Sequence, residues 1–230
     1  MKPVRELIQQ TLELPEASGD RFSGYAVIGQ PFSSGHVLAM RCFGASSVGP
    51  AYNSVWHRDP DGNWSFYQNV PLDEGCARYF GAAITGSLTG PVRIEWNGPN
   101  QFRVTVAAPG EIVWEVRLAP TIVTNTMNAI GRALPSRWWK KSSTLGIMEA
   151  VARWVLRTGE MRLTGHTPNG HRFTASPRLI WQIAESRATI RGVDAGPPGR
   201  LATQAVLADF RIPQRGLFAI TTAVLEAGPR

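Results

Sequence analysis

The chain has 230 residues, 43% of them hydrophobic and 18% charged, with 24 Lys and Arg residues against 17 Asp and Glu residues. A chain of this length can bury a core without disulfide support, and its ordinary apolar content excludes an intrinsically disordered protein. There are only two cysteines, Cys42 and Cys76, so a disulfide scaffold is excluded as well. We expect both to be reduced, mostly buried thiols.

The N-terminal segment shows a short helical pattern at about residues 4–13 and lacks the apolar stretch of a secretory signal peptide. No window of the sequence approaches about 18 uncharged apolar residues, so no membrane-spanning helix is predicted. We therefore expect a cytoplasmic protein.

The stretch from Gly24 to Leu118 consists of short runs rich in β-branched and aromatic residues, separated by turn signals such as Asp59-Pro60-Asp61-Gly62. This pattern predicts a strand meander. The predicted strands are Tyr25–Gln30, His36–Phe43, Tyr52–Arg58, Trp64–Val70, Arg78–Ile84, Val92–Trp96, Phe102–Val106 and Ile112–Leu118. Apolar and polar residues alternate in the last two runs, so we expect one face of the sheet to be buried.

Between about Thr124 and Thr158 the apolar spacing changes to three and four residues, which predicts two helices. The strand pattern then returns in Met161–His166, Arg172–Ala175, Leu179–Ala184, Ala188–Gly192, Gln204–Phe210 and Leu217–Val224. Strands on both sides of one helical insert predict a mainly β chain, residues 1–230 forming a single domain. We expect an antiparallel β-barrel-like fold with a two-helix insertion at about residues 124–158 and a short N-terminal helix.

The helical insert concentrates positive charge. Residues 132–157 contain six cations and one acid, Glu149, and include Trp138, Trp139 and Trp154. One interpretation is a solvated helix face whose tryptophans pack on the barrel. The other is a surface that contacts anionic lipid headgroups or an acidic partner. Nothing in the sequence has the spacing of a nucleic-acid-binding motif, so nucleic acid is not an expected partner.

The predicted strand Tyr52–Arg58 carries one group of candidate site residues. On a pleated strand Asn53 and His57 share one face, whereas Trp56 and Arg58 lie on the other. One of these faces is expected to line a cavity, with Asn53, Trp56 and Arg58 binding the substrate and His57 moving a proton. The alternative for His57 is a hydrogen-bonded structural role.

A second candidate group is Glu74, Arg78 and Tyr79. The Arg78 guanidinium can hold a substrate carboxylate through its bidentate fork, with the Tyr79 hydroxyl as an acid–base group and Glu74 as a binding residue. The structural alternative is an ion pair between Arg78 and Glu74. No HExxH, GxSxG or phosphate-cradling glycine loop is found, so we expect neither a metal nor a cofactor.

Two stretches covering about half of the chain follow the segment order of a known enzyme family. The stronger match is C-terminal and consists of Asn169–Arg178, Ala188–Val193 and the ending Ala208–Gly216, which contains an Ala-Asp pair and an Ile-Pro pair. The weaker match runs from Gly62 to Leu118. Both resemble the acetoacetate decarboxylase-like superfamily. The resemblance implies a β-barrel-like fold with a buried pocket, acting on small β-keto or related acids through a Schiff-base lysine.

Where that family carries Pro-Lys-Lys, this chain has Arg78–Ile84, which contains no lysine. Lys140 and Lys141 lie in the helical insert, outside the matching strand, and the acid nearest to the family's glutamates is Glu74. We therefore hypothesise a small-molecule-binding enzyme or former enzyme. It would act on a small apolar carboxylate or ketone by lyase- or isomerase-type acid–base chemistry, without a Schiff-base lysine.

The alternative hypothesis is a non-catalytic, lipocalin-like binder of hydrophobic ligands. Its basic, Trp-rich insert, residues 132–157, would make a peripheral contact with an anionic membrane or an acidic partner. The sequence leaves oligomerisation open under either hypothesis.

Overall fold

One long, curled β-sheet forms the framework of the protein. The computed structural model describes residues 2–9, 13–134, 138–139 and 141–228. In chain order the strands are β1 (Asp20–Pro31), β2 (Val37–Ser46), β3 (Tyr52–Arg58), β4 (Trp64–Gln68), β5 (Gly86–Thr89), β6 (Val92–Gly98), β7 (Gln101–Val106), β8 (Ile112–Ala119), β9 (Thr164–His166), β10 (Arg172–Ile190), β11 (Val193–Asp194), β12 (Val206–Leu207), β13 (Phe210–Arg211) and β14 (Leu217–Glu226). The α-helices are α1 (Val4–Ile8), α2 (Ala77–Phe80), α3 (Ile122–Ala133) and α4 (Ser142–Trp154).

The strands pair in the order β5-β4-β3-β2-β1-β14-β10-β8-β7-β6, and the neighbours are antiparallel except for β4 and β5. Strand β10 pairs with β14 along its first half and with β8 along its second. Its register shifts between Pro177 and Leu179 and again between Ile183 and Glu185. Such bulges bend a strand and increase its twist. The bent β10 replaces three separate strands predicted over this range.

The inner face of the curl holds a core to which strands at both ends of the strand order contribute, among them Tyr67 of β4 and Val104 of β7. Asn53 Nδ2 in β3 donates to the carbonyl oxygen of Val92 in β6 at 3.1 Å. Two strands far apart in the pairing order therefore meet, as in a half-closed barrel. The predicted class, mainly β and antiparallel barrel-like, is confirmed.

Helix α1 packs on this core through the buried Val4. The helix ends at Ile8, earlier than the pattern over residues 4–13 predicts, and residues 10–12 of that prediction lie outside the described residues.

The two predicted helices of the insert are confirmed as α3 and α4, which cover the outer face of the sheet. The side chain of Asn128 in α3 is buried against β10. Its Nδ2 donates to the carbonyl oxygen of Ile180 at 2.9 Å, and its Oδ1 accepts from the Ile180 N–H at 2.7 Å. Ile180 lies just beyond the bulge at Pro177–Leu179. The side-chain amide of Asn128 therefore holds α3 against β10 where this strand bends.

The predicted strand Arg78–Ile84 is wrong, because this segment forms α2 followed by a 3-10 turn at Gly81–Ala83. The Phe80 N–H donates to the Cys76 carbonyl, which closes a helical turn. Consecutive residues Tyr79 and Phe80 are both buried against the sheet. A strand would point them to opposite faces, whereas a helical turn packs both.

The predicted strand Gln204–Phe210 is also shorter in the structure, where β12 and β13 form a two-residue hairpin ladder.

In the part of the chain that the structure describes, no helix is both long and apolar enough to cross a membrane.

Candidate functional site

A cavity lies between the outer face of the sheet and the segments that cover it. Its walls come from β1, β2, β3, β10, β13 and β14, from α2, and from residues 161–163. The space open to water-sized molecules is ≈ 90 Å³. Because about 10–15 Å³ is enough to hold one water, the cavity has room for several waters. The wall is almost wholly apolar, which is typical of a small-molecule site.

Arg41 is a buried cation in this apolar wall, with only 6% of its surface exposed. It lies in β2, where alternate residues point to the same face of the sheet. The residues that share its face are apolar: Val37, Ala39 and Phe43. The sheet therefore directs a single charged side chain into the cavity wall from an otherwise hydrophobic face.

The Arg41 guanidinium is held in place by backbone carbonyls. Its Nη1 donates to the carbonyl oxygen of Val27 at 2.7 Å and to that of Met40 at 2.9 Å. The pairing of β1 with β2 shifts register directly after Val27, so Arg41 supplies a donor where the ladder is interrupted. Among the described residues, neither Nε nor Nη2 of Arg41 has a hydrogen-bond acceptor.

The indole ring of Trp56 in β3 packs against the Arg41 guanidinium. The Arg41 Cζ atom lies 4.3 Å from the centroid of the Trp56 ring, and the other face of that ring stacks on Phe66 at a centroid distance of 4.4 Å. Trp56 Nε1 is buried without a hydrogen bond of acceptable geometry to any described residue. It nevertheless lies near enough to the Cys76 thiol to favour the ionised form of that group.

No carboxylate neutralises Arg41 within the described residues. Burial lowers the pKa of Arg41 to about 10, which still leaves it protonated at neutral pH. Two other arginines of the cavity wall are both paired: Arg162 lies 3.6 Å from Asp209, and Arg211 lies 3.6 Å from Glu160. An isolated buried charge is unfavourable unless a counter-charge reaches it. The cavity thus presents one cation that an anionic ligand would neutralise.

Cys76 and Tyr52 lie on the same side of the cavity as Arg41. The Tyr52 hydroxyl is 3.3 Å from Cys76 Sγ, and the Ser54 hydroxyl donates to the same sulfur at 3.7 Å. Burial raises the pKa of both Cys76 and Tyr52, so both groups keep their protons at neutral pH. Together with Arg41 they form the polar end of an apolar cavity.

Of the second group of sequence candidates, Tyr79 lines the cavity and Arg78 does not. The Tyr79 hydroxyl donates to Asp20 Oδ2 at 2.7 Å, and burial together with this carboxylate raises the pKa of Tyr79 above its usual value. The side chain of Arg78 is 43% exposed, with its Nε atom 3.7 Å from the Asp20 carboxylate. Arg78 therefore pairs with Asp20, and the ion pair with Glu74 that the sequence offered as an alternative is not formed. Glu74 lies outside the cavity wall.

Of the candidates in β3, Trp56 lines the cavity, and Asn53, His57 and Arg58 are not among the lining residues. His57 Nε2 lies 2.9 Å from Nδ1 of His36. Burial, followed by the neighbouring His36, lowers the pKa of His57 to about 4. Arg58 donates to the Asp59 carbonyl oxygen at 3.2 Å. The structure thus separates His57 from Trp56, and the role assigned to His57 stays a prediction.

None of the described residues that line the cavity is a lysine. Lys2 and Lys141 are exposed, and Lys140 lies outside the described residues. The described residues also contain no cluster of three or more His, Cys, Asp or Glu side chains placed to hold a metal ion.

Sequence reasoning missed Arg41 and gave Cys76 no site role. The available signal for Arg41 was its position in the alternating run Val37–Phe43, where one cation interrupts an apolar face. Cys76 carried no comparable signal, because its place beside Tyr52 depends on how α2 folds onto the sheet.

No family model matches the chain, and no curated protein matches it in sequence. Among solved structures, the chain is similar to the crystal structure of acetoacetate decarboxylase from Legionella pneumophila subsp. pneumophila str. Philadelphia 1. The two chains share 8% sequence identity, with 94% of this chain and 87% of that chain covered and a TM-score of 0.44.

Proposed function

We propose that the cavity binds a small carboxylate with an apolar chain, and that Arg41 holds the carboxylate. The observation that carries this proposal is the buried, protonated guanidinium without an acidic partner among the described residues. A carboxylate would supply the missing counter-charge and accept from the Nε and Nη2 donors in the fork geometry that arginine favours. The apolar wall would take the rest of the ligand.

The size of the cavity favours a short ligand. Room for several waters suits a carboxylate with a short alkyl chain. Hexanoate, with about eight non-hydrogen atoms, is therefore the probe. Its uncharged analogue hexan-1-ol has a chain of the same length and lacks the carboxylate.

For chemistry on such a ligand, we assign proton transfer to Tyr79. It is the sequence-predicted acid–base residue that lines the cavity. Since no described lining residue is a lysine, the proposed reaction does not pass through an imine. His57 and Arg78 take no part in this proposal.

Isothermal titration of hexanoate and hexan-1-ol into the parent protein and Arg41→Met tests the binding site. Methionine keeps an unbranched apolar side chain and removes the charge. We expect the variant to bind hexanoate at least about tenfold more weakly and hexan-1-ol about equally well, since a charge-assisted hydrogen bond contributes about 1.5–3 kcal/mol. Equal affinity of both proteins for hexanoate would show that Arg41 is not the anion site.

Arg78→Ala and Arg162→Met are the matched controls. Both remove an arginine that already has an acidic partner, Asp20 or Asp209. We expect both to bind hexanoate like the parent. Loss of hexanoate binding in Arg78→Ala, but not in the other variants, would show that Arg78 is the anion site, as the sequence suggested.

A 3-oxo acid as substrate shows whether the protein is an enzyme or a non-catalytic carrier. The sequence resemblance implies this class of substrate. Decarboxylation of 3-oxohexanoate consumes one proton and gives carbon dioxide and pentan-2-one. We expect the parent to accelerate this loss of carbon dioxide and Tyr79→Phe to slow it without weakening hexanoate binding. No acceleration by the parent, with hexanoate binding intact, would leave the non-catalytic carrier as the function.

A further inference from the structure

Helix α4 and the residues just before it expose three large apolar side chains. Trp154 is 73% exposed, Ile147 is 66% exposed and Trp138 is 43% exposed. Ile147 and Trp154 are seven residues apart, so they lie on one face of the helix. The opposite face is buried through Leu145, Ala152 and the partly buried Met148. α4 is thus apolar on two faces, and the fold covers one of them.

Each exposed tryptophan has a cation over its ring. Lys141 Nζ lies 5.4 Å from the centroid of the Trp138 ring, and Arg153 Cζ lies 5.2 Å from that of Trp154. Lys141 and Arg153 are twelve residues apart, which places them about 18 Å apart along a helix. A surface that touches both pairs would therefore lie along the length of α4.

The single acid of α4 does not offset this charge at the surface. Glu149 is half-buried, and its Oε1 atom accepts a hydrogen bond from the Leu163 N–H at 2.6 Å. This bond turns the carboxylate toward residues 161–163, which form part of the cavity wall. Arg157, beyond the end of the helix, adds a further exposed cation.

We propose that this face of α4, with Trp138 and Lys141, docks on a lipid bilayer that contains anionic headgroups. Tryptophan and isoleucine side chains insert at the headgroup boundary, and Lys and Arg contact phosphates at the same depth. A second copy of this chain fits less well. A two-fold contact through α4 would bring Lys141 and Arg153 of both copies together, and like charges repel.

Co-sedimentation with vesicles tests this inference. The full-length protein is mixed with phosphatidylcholine vesicles or with vesicles that also contain phosphatidylglycerol. We expect binding to the mixed vesicles, weak binding to pure phosphatidylcholine, and release by salt. Each cation near an anionic surface contributes about 1 kcal/mol, so Lys141→Gln/Arg153→Gln should bind about 30-fold more weakly. Trp154→Ser should also weaken binding while leaving the thermal melt unchanged, because its side chain is exposed.

The matched control is Arg93→Gln/Arg187→Gln, which removes two exposed cations from β6 and β10. We expect it to bind the mixed vesicles within about threefold of the parent. The inference is overturned if the parent does not bind the mixed vesicles, or if the control variant loses as much affinity as the α4 variant. It is overturned too if Trp154→Ser abolishes a dimer in analytical ultracentrifugation while vesicle binding is unchanged. Hexanoate binding in solution is a separate measurement, so failure of this surface would leave the cavity proposal standing.

Discussion

The guanidinium carbon of Arg41 lies 4.3 Å from the centroid of the Trp56 ring, inside a cavity whose wall is mostly apolar. A guanidinium that stacks through its flat face keeps its N–H groups at its edge. One of those groups, Nη1, is fixed by two backbone carbonyls, so the orientation of the plane is set before any ligand arrives. The pair therefore offers a carboxylate a preorganised charge, which reduces the entropy lost on binding.

Arg41→Met should change the stability of the ligand-free protein little or increase it, by up to about 4 kcal/mol. Exchanging a buried charge for an apolar side chain of similar size is often neutral or stabilising. Urea unfolding with and without hexanoate measures this. Hexanoate should stabilise the parent and not the variant. A loss of more than about 3 kcal/mol without ligand would mean that Arg41 serves chiefly to satisfy the carbonyls of Val27 and Met40.

His57 should make the protein less stable as the pH falls below neutrality. Its pKa is about 4 in the folded protein, against 6.5 for an unperturbed histidine. Between these values the unfolded chain binds a proton that the folded protein does not, so the free energy of unfolding decreases on acidification. The surrounding groups are His36, Asp59 and Arg191, of which Asp59 alone raises the pKa of His57.

The expected decrease from this residue is on the order of 3 kcal/mol between pH 7 and pH 4. Urea unfolding over that range measures it. His57→Gln should flatten the pH dependence. A parent and a His57→Gln variant with the same pH dependence would contradict the buried, neutral state of His57.

Tyr79→Phe should lower the free energy of unfolding by about 1–2 kcal/mol. The variant loses the hydrogen bond from the phenol to Asp20, which is charge-assisted and partly buried. Thermal and urea unfolding check the value, and titration with hexanoate checks that the cavity is intact. A variant as stable as the parent would indicate that the Tyr79 hydroxyl is not held by Asp20 in solution.

Asn128→Ala should lower the free energy of unfolding by about 2–4 kcal/mol, since it leaves both the N–H and the carbonyl of Ile180 without their partner. Asn128→Asp keeps the acceptor and buries a charge, so it should cost at least as much. Asn125→Ala, on the exposed face of α3, is the control and should change stability by less than about 0.5 kcal/mol. An Asn128→Ala variant as stable as that control would remove the proposed link between α3 and β10.

Local patterns were sufficient for the class of fold. The alternation in β7 and β8 and the change of spacing near Thr124 depend on neighbours in the chain, and both predicted the correct element type. The pattern over Arg78–Ile84 failed, because a short apolar run fits a strand and a helical turn equally well. Tertiary packing of Tyr79 and Phe80 decides between the two.

The candidate site was predictable only in part. Trp56 was identified from residue type and strand position. Tyr79 was identified from residue type, within a predicted strand that is a helical turn in the structure. Both line the cavity. Arg41 was not identified, because its importance depends on its having no acidic partner among the residues that the structure describes. That feature becomes visible only when β2, β3 and β13 are placed together in space.

A crystal structure of the protein with hexanoate would show where the ligand carboxylate lies. We expect the carboxylate inside the cavity, within hydrogen-bonding distance of Arg41 Nε or Nη2, with the alkyl chain between β1, β14 and α2. A carboxylate bound beside Arg78, outside the cavity, or beside Arg162 in the cavity wall would contradict this proposal. So would a cavity that stays empty of hexanoate at concentrations that saturate binding in solution.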